Sequence, residues 1–148
     1  MICKFEELYQ QEASGQRARY EALREGFAQQ FGSAEGGQYF SAPGRSEIGG
    51  NHTDHNHGRV LAAAVNLDIA AYARKTEIGK VSLKSAEYTK MDVVDLSSLA
   101  LDPKEEGTSA ALLRGICARC VELGYQVGGF EAYTITRVLK GSGLSSSA

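Results

Sequence analysis

Apolar positions recur at helical spacing near the start of the chain and crowd into short runs after residue 38. Residues 6–31 read as helix, broken near Ser14-Gly15, with Tyr20, Leu23 and Phe27 on one face and Gly32 as the C-terminal stop. A loop over 33–37 leads into a strand at 38–42, which Pro43-Gly44 ends. Gly49-Gly50 and Gly58 then frame a loop rich in polar side chains. Residues 59–67 are almost all apolar and fit a strand buried on both faces, although their period also fits a helix. Residues 69–76 and 80–88 suggest a hairpin around Glu77-Ile78-Gly79, followed by a short strand at 91–96. Thr108 or Ser109 caps a helix ending near Gly124, and 130–139 forms a last strand. The sum is an α+β domain with a mainly antiparallel or mixed sheet. The stretch 96–107, with Asp102-Pro103, reads as a connection and not a domain boundary.

Composition narrows this picture only a little. A chain of 148 residues holds one domain with a real core and is short for two. Apolar residues at 43% and charged residues at 23% are ordinary globular values, which argues against disorder. A net charge of −2 gives no electrostatic case for nucleic acid or an anionic membrane. No apolar run reaches membrane-spanning length, and Glu6-Glu7 interrupt any secretory h-region, so the expected compartment is cytoplasmic. Cys3, Cys117 and Cys120 form no disulfide framework. Cys117 and Cys120 form a C-x-x-C, but with Leu113 and Ile116 they fall on one helical stripe. Buried thiols are expected there in preference to a zinc or redox site.

Two loops carry candidate chemistry. Gly141-Ser142-Gly143-Leu144-Ser145-Ser146-Ser147-Ala148 lacks Walker A spacing, yet its glycines allow backbone N–H groups to approach a polyphosphate. Its serine hydroxyls can donate to phosphate oxygens or ligate Mg²⁺. Composition alone also fits a flexible tail; the preceding strand and the embedded Leu144 favour the cradle. The other loop holds His52, Asp54, His55 and His57. A metal site there needs a distant fourth ligand, and a surface polar turn is the plainer alternative. A third reading is a grip on a polyhydroxylated small molecule.

Ala42-Pro43-Gly44-Arg45 followed by Ile48-Gly49-Gly50-Asn51-His52-Thr53-Asp54-His55-Asn56 resembles the galactokinase signature, A-P-G-R with a G-E-H-T-D-Y-N core. The match runs on through Gly58-Arg59-Val60-Leu61. The terminal loop resembles the second motif of the GHMP small-molecule kinases, in the form G-x-G-L-S-S-S-A. The resemblance covers residues 39–148. It implies the GHMP kinase N-terminal domain, ribosomal protein S5 domain 2-like and incomplete: 1–37 as an N-terminal helical segment, and 38–148 as a partial domain with a sugar-binding loop and a truncated ATP loop.

By that resemblance Arg45 stabilises charge beside the transferred phosphoryl group. Asn51, His52, Thr53 and Asp54 bind the sugar, with Asp54 able to accept from two adjacent hydroxyls. Gly141, Ser142, Gly143, Leu144, Ser145, Ser146 and Ser147 bind ATP, and Ser147 also binds Mg²⁺. The implied reaction is ATP-dependent phosphorylation of galactose, or a close relative, at the C1 hydroxyl, as in Leloir-type galactose metabolism. Several positions depart from the family pattern. Asn51 replaces the usual glutamate, His55 the usual tyrosine, Ser46-Glu47 differ, and Val138-Leu139-Lys140 stand where a proline is common. The family's catalytic aspartate and second carboxylate for magnesium lie beyond the phosphate loop, so this polypeptide alone is expected to be inactive. The alternatives are a non-catalytic sugar and ATP sensor of galactokinase descent, a metal protein centred on the histidines, and an RNA-binding domain of the related ribosomal fold, which the negative charge disfavours.

Overall fold

The computed structural model describes residues 4–50, 53 and 56–138. Helix α1 (Phe5–Tyr9) is followed by a 3₁₀ turn (Gln10–Glu12) and helix α2 (Ala13–Phe31). Strands β1 (Gln38–Gly49), β2 (Leu61–Thr76), β3 (Lys80–Ser85) and β4 (Asp92–Asp95) come next. A second 3₁₀ turn (Pro103–Glu105), helix α3 (Ser109–Glu122) and strand β5 (Gly129–Thr136) complete the order. The expected α+β class holds.

The helical break falls at Gln10, which takes φ 46°, and not at Ser14-Gly15. Folding back there sets the Phe5 and Tyr9 rings 5.0 and 5.7 Å from the ring of Tyr20. Gly15 continues in α2. The apolar face is as anticipated: Tyr20, Leu23 and Phe27 are buried, and Gly32 ends the helix at φ 82°.

The five strands form one sheet in the order β1-β2-β5-β3-β4, with β3 and β5 parallel and the other neighbours antiparallel. Four expectations fail here. Pro43-Gly44 does not end the first strand, because β1 lies at the sheet edge, where a missing N–H costs no ladder bond. The chain absorbs the strain as a register shift: Pro43 faces Asp68 while Arg45 faces Ala64. Residues 59–67 and 69–76 are not separate, since β2 runs unbroken through Asp68. Its first residues are mostly exposed and not buried on both faces. Nor do β2 and β3 pair as a hairpin, because β5 inserts between them. That long-range pairing leaves no mark in a local pattern.

Two apolar clusters hold the helices to the sheet. Leu23 and Phe27 of α2 pack on Ala70 and Tyr72 of β2, with Tyr133 and Ile135 of β5 at the margin. Burying a side chain of the Leu23 type contributes about 1.5–3 kcal/mol. Val81, Val94 and Cys117 form the second cluster with Phe130, Leu113, Leu96 and Leu99. Tyr133 and Phe130 are three residues apart on β5, so strand alternation puts α2 and α3 on opposite faces. Thr108 caps α3, its Oγ1 accepting from the Ala111 N–H at 3.3 Å. The expected cysteine stripe is only partly buried: Cys117 is, but Ile116 is 54% exposed.

Gly26 marks the closest approach of α2 to the sheet, where an added Cβ would lie 2.5 Å from Tyr133 Cε1. Gly26→Ala is therefore expected to destabilise by about 1–3 kcal/mol, the clash outweighing the helix propensity gained. Gly15→Ala meets no atom within 4 Å and is expected to stabilise by up to about 1 kcal/mol. Urea unfolding of the two variants checks the opposite signs.

Candidate functional site

Strands β1 and β2 form a long ribbon that outruns the rest of the sheet. Ile69 is the residue of β2 that pairs with Thr136, the last of β5. From there β2 extends back to Leu61, roughly 27 Å at about 3.4 Å per residue. The loop carrying the predicted sugar residues closes the far tip. Because β2 and β5 are antiparallel, the chain after Thr136 leaves at the same end of the sheet. Arg45, opposite Ala64, stands about 17 Å along the ribbon from the Ile69 level at the same rise. The ten residue-to-residue steps from Arg137 to Ser147 span at most about 34 Å when extended, which covers that gap.

Of the predicted residues, Arg45 and Thr53 are described. Arg45 is exposed and forms no ion pair with any described residue. The Thr53 hydroxyl donates to the Gly50 carbonyl at 2.7 Å, and the Thr53 carbonyl accepts from the N–H groups of Asn56 and Gly58 at 3.0 and 2.7 Å. The loop is thus pinched at its neck. An added Cβ at Gly58 would lie 2.1 Å from Thr53 Oγ1, and one at Gly50, whose φ is +110°, would lie 2.5 Å from the Arg59 carbonyl. Glycine is required at both positions for this closure. The structure therefore gives Thr53 a loop-closing part that the sequence reading did not foresee. Asn51, His52, Asp54 and His55 lie outside the described residues, as do Gly141, Ser142, Gly143, Leu144, Ser145, Ser146 and Ser147.

The root of the ribbon holds a polar cluster that the sequence reading missed. Asp68 is 5% exposed. Its Oδ1 accepts from Arg19 Nη1 at 2.6 Å, and its Oδ2 accepts from Tyr9 Oη at 2.7 Å and Ser41 Oγ at 2.6 Å. The Tyr9 and Tyr20 hydroxyls are 2.6 Å apart. Since Tyr9 donates to the carboxylate, Tyr20 donates to Tyr9. Arg19 Nη2 also bonds the carbonyls of Asp68 at 3.2 Å and Ile135 at 3.0 Å, and the Arg137 N–H donates to the Asp68 carbonyl at 2.9 Å. Arg19 Nε is buried without a partner among the described residues. Burial pushes the Asp68 carboxyl up, but the three side-chain donors and the Arg19 charge outweigh it and hold it below the usual range. The Tyr9 phenol is raised by burial and by its bonds to Tyr20 and Asp68.

A signal for this cluster was present. Asp68 is the one charged residue between Val60 and Tyr72, and a carboxylate inside an apolar strand requires a cation. An open cleft of about 1400 Å³ lies above it, between the N-terminal helices and the ribbon. Phe5, Tyr9, Tyr20, Tyr39, Ser41 and Asn66 are among its walls. Arg45 and Thr53 are not among its described walls, while Pro43 and Ala64, the latter facing Arg45 across the ribbon, are.

Beyond Ile135 the chain is held from several sides. The Thr136 N–H donates to Glu87 Oε1 at 3.0 Å, Arg137 Nη1 lies 3.2 Å from Glu12 Oε2, and Val138 is buried. Among the described residues no group of three metal-ligating side chains forms, and no helix is long and apolar enough to cross a membrane.

Comparison with known proteins sharpens this geometry. Residues 25–75, which hold β1 and the ribbon loop, match the galactokinase galactose-binding signature. Galactokinase of Lactococcus lactis subsp. lactis is 34% identical over 128 residues, covering 86% of this chain and 32% of that protein. The crystal structure of Lactococcus lactis galactokinase complexed with galactose superposes with a TM-score of 0.78 at 32% identity, over 87% of this chain and 34% of that one. Mevalonate kinase of Methanococcus jannaschii, at 19% identity and a TM-score of 0.57 over 74% of this chain and 35% of its own, shares the fold. The chain spans about a third of the length of these relatives.

Asp68→Asn removes the partner of a buried guanidinium and is expected to cost about 3–5 kcal/mol at neutral pH. The folded carboxyl is depressed below its unfolded value, so its contribution is complete above the unfolded pKa. That contribution fades as pH falls through the lower, folded value. Urea titrations should show a constant gap between wild type and variant above about pH 5, closing in stronger acid.

Proposed function

We propose that this chain, related to galactokinases over most of its own length, supplies the galactose-gripping wall and the start of the ATP cradle of an ATP-dependent galactose 1-kinase. The observation that carries the reading is topological. The ribbon bearing Arg45 and the sugar loop, and the strand that precedes the Gly/Ser loop, end on the same side of one sheet. In-line phosphoryl transfer requires acceptor hydroxyl and nucleotide to be held face to face, and catalysis is mostly that positioning plus charge stabilisation.

Residues 1–37 act as a helical brace, and 38–148 as the part that meets substrate. Asp54 and His52 hydrogen-bond the sugar hydroxyls, with Asn51 at its far end, where an amide both donates and accepts. Thr53 keeps the loop closed while lying in the sugar segment. Arg45, exposed and without an ion pair to a described residue, is suited to steady the negative charge of the transferring phosphoryl group. Gly141 to Ser147 present N–H and hydroxyl groups to the nucleotide phosphates, and the Ser147 hydroxyl is the ligand offered to Mg²⁺, which supplies further charge neutralisation when bound. No residue here is assigned as the base that receives the sugar proton. We place the protein in the cytoplasm, consistent with its use of ATP.

The 148-residue chain should bind D-galactose in titration calorimetry. Asp54→Asn is expected to weaken galactose about tenfold or more, since a hydrogen bond to a charged group is worth about 1.5–3 kcal/mol. Equal binding of galactose and glucose, or an unaffected Asp54→Asn variant, would refute the assignment.

A further inference from the structure

Asp68 and Arg19 occupy the point where both functional loops leave the sheet. Ser41, which donates to Asp68, precedes Arg45 by four residues on β1. Arg137, whose N–H donates to the Asp68 carbonyl, precedes Gly141 by four residues. Arg19 reaches across from α2 and bonds the Asp68 carboxylate, the Asp68 carbonyl and the Ile135 carbonyl at once. One guanidinium therefore bridges the strand that leaves the sugar loop and the strand that enters the phosphate loop. The packing of α2 needs no such bridge, because Leu23 and Phe27 already hold that helix to β2.

We infer that Arg19, acting through Asp68, is a positioning residue that couples occupancy of the sugar loop to the placement of the phosphate loop. The inference rests on the functional reading above, and goes beyond it by naming the link between the two walls. The β2–β5 ladder ends at the Ile69–Thr136 pair, and the planar fork adds directional hydrogen bonds to both strands at that end, where each runs on toward its loop. Tugging on the ribbon by a bound sugar shifts Ser41 and Asp68, and the shift reaches Ile135 and Arg137 through the same two residues.

The test compares the affinity of the 148-residue chain for a non-hydrolysable ATP analogue with Mg²⁺, with and without saturating D-galactose. In the wild type galactose is expected to tighten the analogue about fivefold or more, within the usual range for coupled sites. In Arg19→Met the factor should fall to within about twofold of unity, each ligand still binding alone with little change. A merely structural arginine would lower the melting temperature and leave the coupling factor intact. Ser41→Ala, which cuts only the β1 end of the bridge, should reduce the factor partially and serves if Arg19→Met does not fold. Hydrogen exchange on the wild type adds an independent reading: galactose should slow exchange of the Arg137 amide. Undiminished coupling in folded Arg19→Met, or an Arg137 amide indifferent to galactose, overturns the inference while leaving the functional reading standing. If neither ligand binds the wild type, both fall together.

Discussion

A buried carboxylate in the middle of the longest strand constrains everything around it. Asp68 can stay ionised inside a sheet only if its lost hydration is replaced, and the replacement comes from Tyr9 of α1, Arg19 of α2 and Ser41 of β1. Those same elements make up the larger half of the domain. The N-terminal helices are consequently more than an apolar cover for β2. Tyr9 and Arg19 give them a directional attachment to Asp68 of β2 and, through Arg19, to Ile135 of β5, while Leu23 and Phe27 supply the undirected burial. The fold-back at Gln10 follows from the same demand, because a straight continuation from α1 into α2 would carry Tyr9 away from the carboxylate.

The ribbon above that anchor is exposed and thinly packed, with Ile48 and Leu61 66% and 62% accessible. Its shape is set by backbone devices: an edge proline, a register shift between Pro43 and Arg45, and a glycine-framed neck tied by Thr53. A rigid root and a lightly packed tip divide the labour, the root fixing direction and the tip offering polar groups.

Much of this was legible in the residues. Tyr20, Leu23 and Phe27 marked the buried face of α2 because helix period is a local property. Thr108 marked the start of α3 because capping needs only a hydroxyl and a nearby N–H. The two glycine-rich loops stood out because closely spaced glycines and polar residues form a pattern readable over a few positions. The failures share a cause as well. Residues 69–76 and 80–88 look like a hairpin, yet β5, more than forty residues later, takes the place between them. Asp68 looked like a break between two apolar runs, because its cation, Arg19, lies 49 positions away.

Taken by itself, the order of amino acids determined the α+β class, the helix faces and the position of the two chemically distinctive loops. Each of these depends on interactions spanning a few residues. The placement of β5 beside β2, the common side from which both loops depart, and the partners of Asp68 were decided only in three dimensions. The physical reason is that strand order and buried charge pairing are settled by which distant groups can satisfy one another once water is excluded, and no short window of sequence contains both partners.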